Sequence, residues 1–442
     1  MTRVIIVRHG QSTYNIVRRI QGRTDASELT EKGCNDAAKV GKALSNIYFD
    51  GIYHSPLTRA TQTAEIIKSQ LVTANKEPKK ICSYEKLIEV HLPLWEGMLN
   101  SEVREIFAEE YRIWKEAPHK LSMRIQKAGK EEEYFPVLAL YEQAKQFWQD
   151  ILPLYRGEQN LMIVAHNGIN RALISTALGI SPECYHSIQQ SNCGFSVLNF
   201  AGGLEDSVEL KSLNQTQHLG EICPSLRPNH QGVRLFLVRH GETQWNNLNK
   251  FQGQIDVPLN DVGKSQAKKT AAFLQTENIN FACSSSMERA RETAEIILQH
   301  HQNVELELLQ DLKEINHGLW QGKTEAEIDQ EYPGELQRWR TVPAEVKMPQ
   351  GENLQQLWER SHNCWLSIVK TALEKQYSTG IVFAHGDINQ ALICHILGLS
   401  PEKFWSIKND NAALTVIDYP RGLSGLPVLQ AMNINAHLAG DT

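Results

Sequence analysis

Residues 4–15 read VIIVRHGQSTYN, and residues 235–246 read LFLVRHGETQWN. In each, an apolar run of strand character stops at Arg-His-Gly, as Arg8-His9-Gly10 and Arg239-His240-Gly241. The likeness continues in order through both halves. Gln21-Gly22 returns as Gln252-Gly253, SPLTRATQTAEII (55–67) as SSMERARETAEII (285–297), and the Leu-x-Glu…Leu-Trp-x-Gly stretch at 87–97 as that at 312–322. AHNGINRALI (165–174) returns as AHGDINQALI (384–393), and LNQTQHL (213–219) as MNINAHL (432–438). A repeat spanning half the chain is a duplicated domain, not a solenoid of small units. The 442 residues suffice for two such domains, each with its own core. They are expected at 1–222 and 233–442, joined by a linker over 220–232 that holds two Pro and two Gly.

Each half alternates short apolar runs with amphipathic helical patterns, for example RVIIV before a helix through 37–47, and LMIVA before a helix through 170–178. That alternation predicts an α/β fold with a mostly parallel sheet and ligands at the carboxyl ends of its strands. A formal charge of -6, with 22% charged residues, gives no global pull toward nucleic acid or an anionic membrane, so neither is an expected partner. An anion site must then be a local cluster of cations. Eight Cys, spread singly without a C-x-x-C pair, predict a reducing compartment and no structural zinc. With no apolar leader, the expected location is cytoplasmic.

Each half places a His directly after a strand twice: His9 and His166, then His240 and His385. A Gly and a helical pattern follow, which predicts a helix N-terminus offering free N–H groups beside each His. Arg8 and Arg239 precede the first His of each pair. Arg59 and Arg289 open a helix elsewhere, with Ser55 as its N-cap and Pro56 at N1 in the first copy. A lone R-H-G tripeptide is weak, and its return by duplication is not an independent observation. The ordered set of Arg-His-Gly, downstream Asn, helix-opening Arg, isolated Glu and second strand-end His is specific. His300-His301 and the Glu131-Glu132-Glu133 run lack such company and are expected at surface or core positions, the Glu run on a solvated loop or helix face. No GxxxxGK[ST] loop and no GxGxxG after a strand occurs, so nucleotide-dependent transfer is unsupported.

Both halves resemble the histidine phosphatase superfamily, the phosphoglycerate mutase-like fold, on RHGQSTYN and RHGETQWN and on the ordered set behind them. The resemblance covers nearly the whole chain. It implies two tandem domains, each a three-layer α/β/α sandwich, and a covalent phosphohistidine on His9 or His240. It further implies a phosphate pocket lined by Arg8, Asn15, Arg59 and His166, and by Arg239, Asn246, Arg289 and His385. Glu89 and Glu314 fall where many members carry the proton donor. The chemistry implied is metal-independent hydrolysis of a small phosphorylated metabolite, a sugar phosphate or phospho-acid, without a cofactor. A phosphoglycerate mutase and a phosphate-ligand binder with a non-catalytic domain are the alternatives. The second copy holds RWRTVPAEVKMPQGENLQQLWER (338–360) between its Glu and second His. That stretch resembles the short cap of broad monophosphatases rather than the long insert of mutases, and the tandem layout resembles phosphatases of 2-carboxyarabinitol 1-phosphate.

Two departures predict a less active first site. Pro93 stands where the second copy has Gly318, which would place Glu89 less favourably, and Asn167 stands in place of Gly386 at the pocket mouth.

Overall fold

A computed structural model describes residues 1–73, 78–127, 129–155, 157–226 and 230–439. The chain divides into two compact units, 1–224 and 225–442. Part of the expected linker, residues 227–229, lies outside the described residues.

In the first unit the strands follow the order Val208–Gln215, Phe195–Phe200, Thr2–Arg8, Gln159–Ala165, Gly51–His54 and Ile81–Ser83. The last four are parallel, while Phe195–Phe200 runs antiparallel to both Thr2–Arg8 and Val208–Gln215. The second unit repeats this order with Val428–Ile434, Leu414–Asp418, Arg234–Arg239, Thr379–Ala384, Phe281–Ser285 and Leu306–Leu309. Val4, Ile5, Ile6 and Val7 are all buried. A continuous apolar run suits a central strand covered on both faces. Ile5 and Val7 pack with Ala37, Val40, Ile67, Met162 and Val164, which sets helices Glu31–Ala43 and Thr58–Thr73 against one face. Alternation turns Val4 and Ile6 to the other face, the side of helices Pro136–Ile151 and Asn167–Leu178. The result is helix, sheet, helix.

Local signals set the helix ends. Thr30 and Asn260 cap Glu31–Ala43 and Asp261–Leu274 by accepting from Gly33 N and Gly263 N. Gly179 and Gly398 end the helices behind the second His residues in left-handed conformation.

Three expectations change. The helix expected over 37–47 runs Glu31–Ala43, because the Thr30 cap starts it earlier. The Glu131-Glu132-Glu133 run is neither loop nor helix: it lies in an exposed antiparallel hairpin, Met123–Lys127 with Lys130–Tyr134. Strand alternation tolerates this charge run because the strand buries neither face. Helix Thr58–Thr73 starts past Ser55 and Pro56, so Ser55 is not its N-cap, for a reason that lies in the site.

Candidate active site

All four strand-end His residues are buried, and in each unit the two rings meet. Centroids of His9 and His166 are 5.1 Å apart, and those of His240 and His385 5.2 Å. His9 Nδ1 lies 2.7 Å from Gly10 O, and His240 Nδ1 2.7 Å from Gly241 O. A carbonyl only accepts, so Nδ1 carries the proton and Nε2 keeps its lone pair. Burial, reinforced by Arg59 and Arg8, pushes the His9 pKa well below its ordinary range; burial with Arg289 and Arg239 does the same to His240. Both imidazoles are therefore neutral near pH 7.

The second His of each pair occupies the N-cap position of a helix, Asn167–Leu178 or Gly386–Leu397, as expected. The first does not. After His9 comes a single turn, Thr13–Ile16, and after His240 the turn Gln244–Asn247. Gly10 and Gly241 instead serve close packing, since a Cβ on either would stand 2.5 Å from the carbonyl oxygen of Gly33 or Gly263.

That short turn aims Asn15. Its Oδ1 accepts from Ser12 N (3.0 Å), Ser12 Oγ (3.1 Å) and Asn192 Nδ2 (3.2 Å), leaving Nδ2 available to an oxyanion. Asn246 is held in the same way by Thr243 and Asn411. The arginines are anchored through carbonyls. Arg59 Nη1 and Nη2 donate to Thr24 O and Gly22 O, each at 3.0 Å, and Arg289 donates to Ile255 O and Gly253 O. Arg8 donates to Gln190 O and Arg239 to Asn409 O. None of the four forms an ion pair with a carboxylate among the described residues, and the Nε of Arg8, Arg59 and Arg239 is buried without a partner. Buried guanidinium groups with no carboxylate in contact, only a through-space pull, chiefly of Glu89 or Glu314, suit an anion. In the second unit Arg289 Nε instead donates to His240 Nε2 at 3.2 Å, which requires the lone pair deduced above.

The acids sit at the second helix N-terminus. Glu89 Oε1 accepts from Val90 N (2.8 Å) and Ile169 N (3.0 Å), and its Oε2 from Gly168 N (2.9 Å). Glu314 accepts from Ile315, Ile388 and Asp387 N–H groups in the same pattern. Burial above all, then repulsion from Asp387, raises the Glu314 pKa, against the opposing pull of His317 and Arg289. Pro93 does not disturb Glu89, whose carboxylate keeps the three N–H contacts. Gly318 faces the cap rather than the substrate: at φ +54° its Cβ would stand 2.0 Å from Pro349 O. Asn167 does line the first pocket, as expected from the sequence. Cavity volumes are about 180 Å³ in the first unit and about 320 Å³ in the second.

Every residue singled out from the sequence for a phosphate site thus lies in one of two clusters: Arg8, His9, Asn15, Arg59, Glu89 and His166, and Arg239, His240, Asn246, Arg289, Glu314 and His385. His300 and His301 line neither pocket. Sequence reasoning missed Ser55 and Ser285. Their Oγ atoms lie 2.7 Å from His166 Nε2 and 2.8 Å from His385 Nε2, and each accepts from the amide two residues on, at 3.3 Å. Their place at the same offset in both copies was the available signal. Among the described residues, no group of three or more His, Cys, Asp and Glu is arranged to hold a metal ion.

Paired buried His residues at strand carboxyl ends, guanidinium groups without a carboxylate in contact, and a carboxyl held at a helix N-terminus make up each cluster. The chain belongs to the histidine phosphatase superfamily (branch 1), whose family model matches residues 4–215 and 235–434. Over 456 aligned residues it is 31% identical to the 2-carboxy-D-arabinitol-1-phosphatase of Triticum aestivum, covering 99% of this chain and 86% of that protein. It is 34% identical over 206 residues to phosphoserine phosphatase 1 of Hydrogenobacter thermophilus, covering 47% of this chain and 94% of that protein.

Proposed function

We propose that each unit hydrolyses phosphomonoesters through a phosphohistidine, formed on His9 in the first and His240 in the second. The observation that carries this reading is the fixed tautomer: Nδ1–H is held by the next residue's carbonyl at 2.7 Å, so Nε2 keeps its lone pair, which in the second unit accepts from Arg289 Nε. In the first step Nε2 attacks phosphorus as the bond to the leaving oxygen breaks. Glu89 or Glu314, protonated, gives its proton to that oxygen, a contribution of typically ~10²–10⁴-fold. Water then attacks the phosphohistidine, its proton passes to the carboxylate, and the P–N bond pair returns to Nε2. The arginines, the second His and the Asn amide neutralise the equatorial oxygens, each donor worth on the order of 10²–10³ in rate. This reading assigns charge neutralisation to those donors rather than to a metal ion or a cofactor.

The raised pKa of Glu314 supports its part as proton donor. The substrate class is a small phosphorylated metabolite, a sugar phosphate or phospho-acid. Similarity to the wheat enzyme along 99% of the chain makes 2-carboxy-D-arabinitol 1-phosphate the first compound to try. The absence of disulfides among the eight cysteines supports a reducing setting, the cytoplasm, and no helix among the described residues is long and apolar enough to cross a membrane.

Rapid quenching with a labelled phosphomonoester tests the mechanism. Acid-labile, base-stable label is expected on His9 and His240, with release of inorganic phosphate. Transfer to another sugar acid would mark a mutase instead. Turnover that survives the double substitution His9→Ala, His240→Ala would falsify the phosphohistidine reading.

A further inference from the structure

Beside the acid, the two sites differ as a set. The first unit carries Gly168, Arg171 and Tyr185 where the second carries Asp387, Gln390 and Phe404. Arg171 lines the first pocket, is 6% exposed, and leaves its Nε buried without a partner. Its guanidinium lies 5.5 Å from the centre of the Tyr185 ring, and its Nη1 donates to His186 Nδ1 at 3.1 Å. His186 Nε2 donates to Trp114 O at 2.7 Å. That ring is therefore neutral, with its lone pair on Nδ1, and it offsets none of the arginine's charge. No carboxylate pairs with Arg171 among the described residues. Burial chiefly pushes the neighbouring Arg8 pKa down to about 10; attraction from Glu89 opposes the shift, and repulsion from Arg171 and Arg59 adds to it.

The three exchanges are sterically linked. A Cβ on Gly168 would stand 2.4 Å from Glu89 Oε1 and 2.6 Å from the Tyr185 hydroxyl, so the first unit has no room for an Asp there. Phe404 lacks that hydroxyl, and Asp387 fits, its Oδ2 3.3 Å from His317 Nε2. Gln390 turns its amide onto Ile407 O at 2.6 Å. One site therefore offers a guanidinium and a phenol beside the leaving-group acid, and the other a carboxylate.

Resting on the phosphomonoesterase reading above, we infer that Arg171 selects, in the first site, phosphomonoesters whose leaving alcohol bears a carboxylate. The second site, with Asp387 on the same side, favours uncharged leaving alcohols. The smaller first cavity, about 180 Å³, suits a compact carboxylate better than a second phosphate.

The test uses the full chain carrying His240→Ala, with 3-phosphoglycerate and glycerol 3-phosphate, which differ in a carboxylate against a hydroxymethyl. The expected kcat/KM ratio favours phosphoglycerate by on the order of tenfold, as for one hydrogen bond to a charged group. Arg171→Gln should bring the ratio toward unity through the KM of phosphoglycerate, and Arg171→Lys should retain part of it. Equal losses on both esters, or an unmoved ratio, overturn the inference. As a gain of function, the set Asp387→Gly, Gln390→Arg, Phe404→Tyr in the His9→Ala chain should shift that site's preference toward phosphoglycerate; an unshifted preference in a folded protein counts against it. If the His240→Ala chain turns over neither ester, the catalytic reading of the first site fails. Calorimetric titration then decides the role of Arg171: phosphoglycerate affinity that falls with Arg171→Gln while glycerol 3-phosphate affinity holds supports it, and a parallel fall overturns it.

Discussion

At the scale of single residues, the site works by deciding which nitrogen holds a proton. Gly10 O and Gly241 O fix it on Nδ1 of His9 and His240, the proposed nucleophiles. For the second His the neighbour is a serine: Ser285 Oγ accepts from Met287 N and lies 2.8 Å from His385 Nε2, and donation of its own proton to Nε2 places the ring proton on Nδ1. In that tautomer Nδ1, buried with no protein partner, is the atom that would donate to a phosphoryl oxygen under the proposed mechanism. Ser285→Ala, in a chain whose first site is silenced by His9→Ala, is expected to lower kcat about tenfold with little change in KM, a fraction of the loss from deleting a donor outright. Steady-state kinetics on one ester checks it, and an unchanged kcat would sink the tautomer argument. The legibility of the site follows the same division. Arg, His, Asn and Glu were readable because their side-chain types recur in order. Ser55 read as a helix cap because serine is a common one, and the anchoring carbonyls of Gly22 and Gly253 carry no side-chain signature at all.

At the scale of elements, the helix that follows the second His does two jobs with its N-terminal amides: it receives the acid, and it carries the residue that tunes it. Asp387 N holds Glu314 Oε2 at 3.1 Å, while the Asp387 charge helps to raise the Glu314 pKa. His317 and Arg289 face the same carboxyl and lower it. Asp387→Asn removes the like charge, so the Glu314 pKa falls. The protonated carboxyl is the form that donates, so the alkaline limb of kcat/KM for the second site should move to lower pH. A pH profile of the His9→Ala chain with and without Asp387→Asn tests the sign; an alkaline limb that stays put or moves upward excludes this tuning. The alternation of strands and helices was readable from hydrophobic period, and the helix Asn167–Leu178 fell close to its expected place. What the pattern did not reveal was the missing helix behind His9. Gly10 looks like a turn residue before an anion-binding helix, yet its smallness answers to Gly33 O, a contact far along the chain. The same holds for Gly318, whose neighbour Pro349 lies in the cap.

At the scale of the whole molecule, duplication has left two sets of groups in one chain, and each unit contains its own copy of the proposed nucleophile and acid, with its arginines and second His. Among the described residues each pocket is lined from one unit alone, so the two sites should contribute additively: the rates of His9→Ala and His240→Ala chains should sum to that of the parent. The shares need not be equal. Of the two departures that favour the second site in the sequence, Pro93 carries no weight, since the Glu89 carboxylate keeps the same three N–H donors as its counterpart. The other departure does bear on the pocket. Asn167 stands at the first mouth where the second has Gly386, and the first cavity is the smaller, about 180 Å³ against about 320 Å³. On bulky sugar phosphates with uncharged alcohols, His240→Ala is therefore expected to remove most of the turnover, and His9→Ala only a minor part. Parallel assays of the two variants on one panel of esters, with thermal melts to show both are folded, decide the point. Equal losses on the bulky esters, or a larger loss from His9→Ala, would show that cavity size does not set the division of labour.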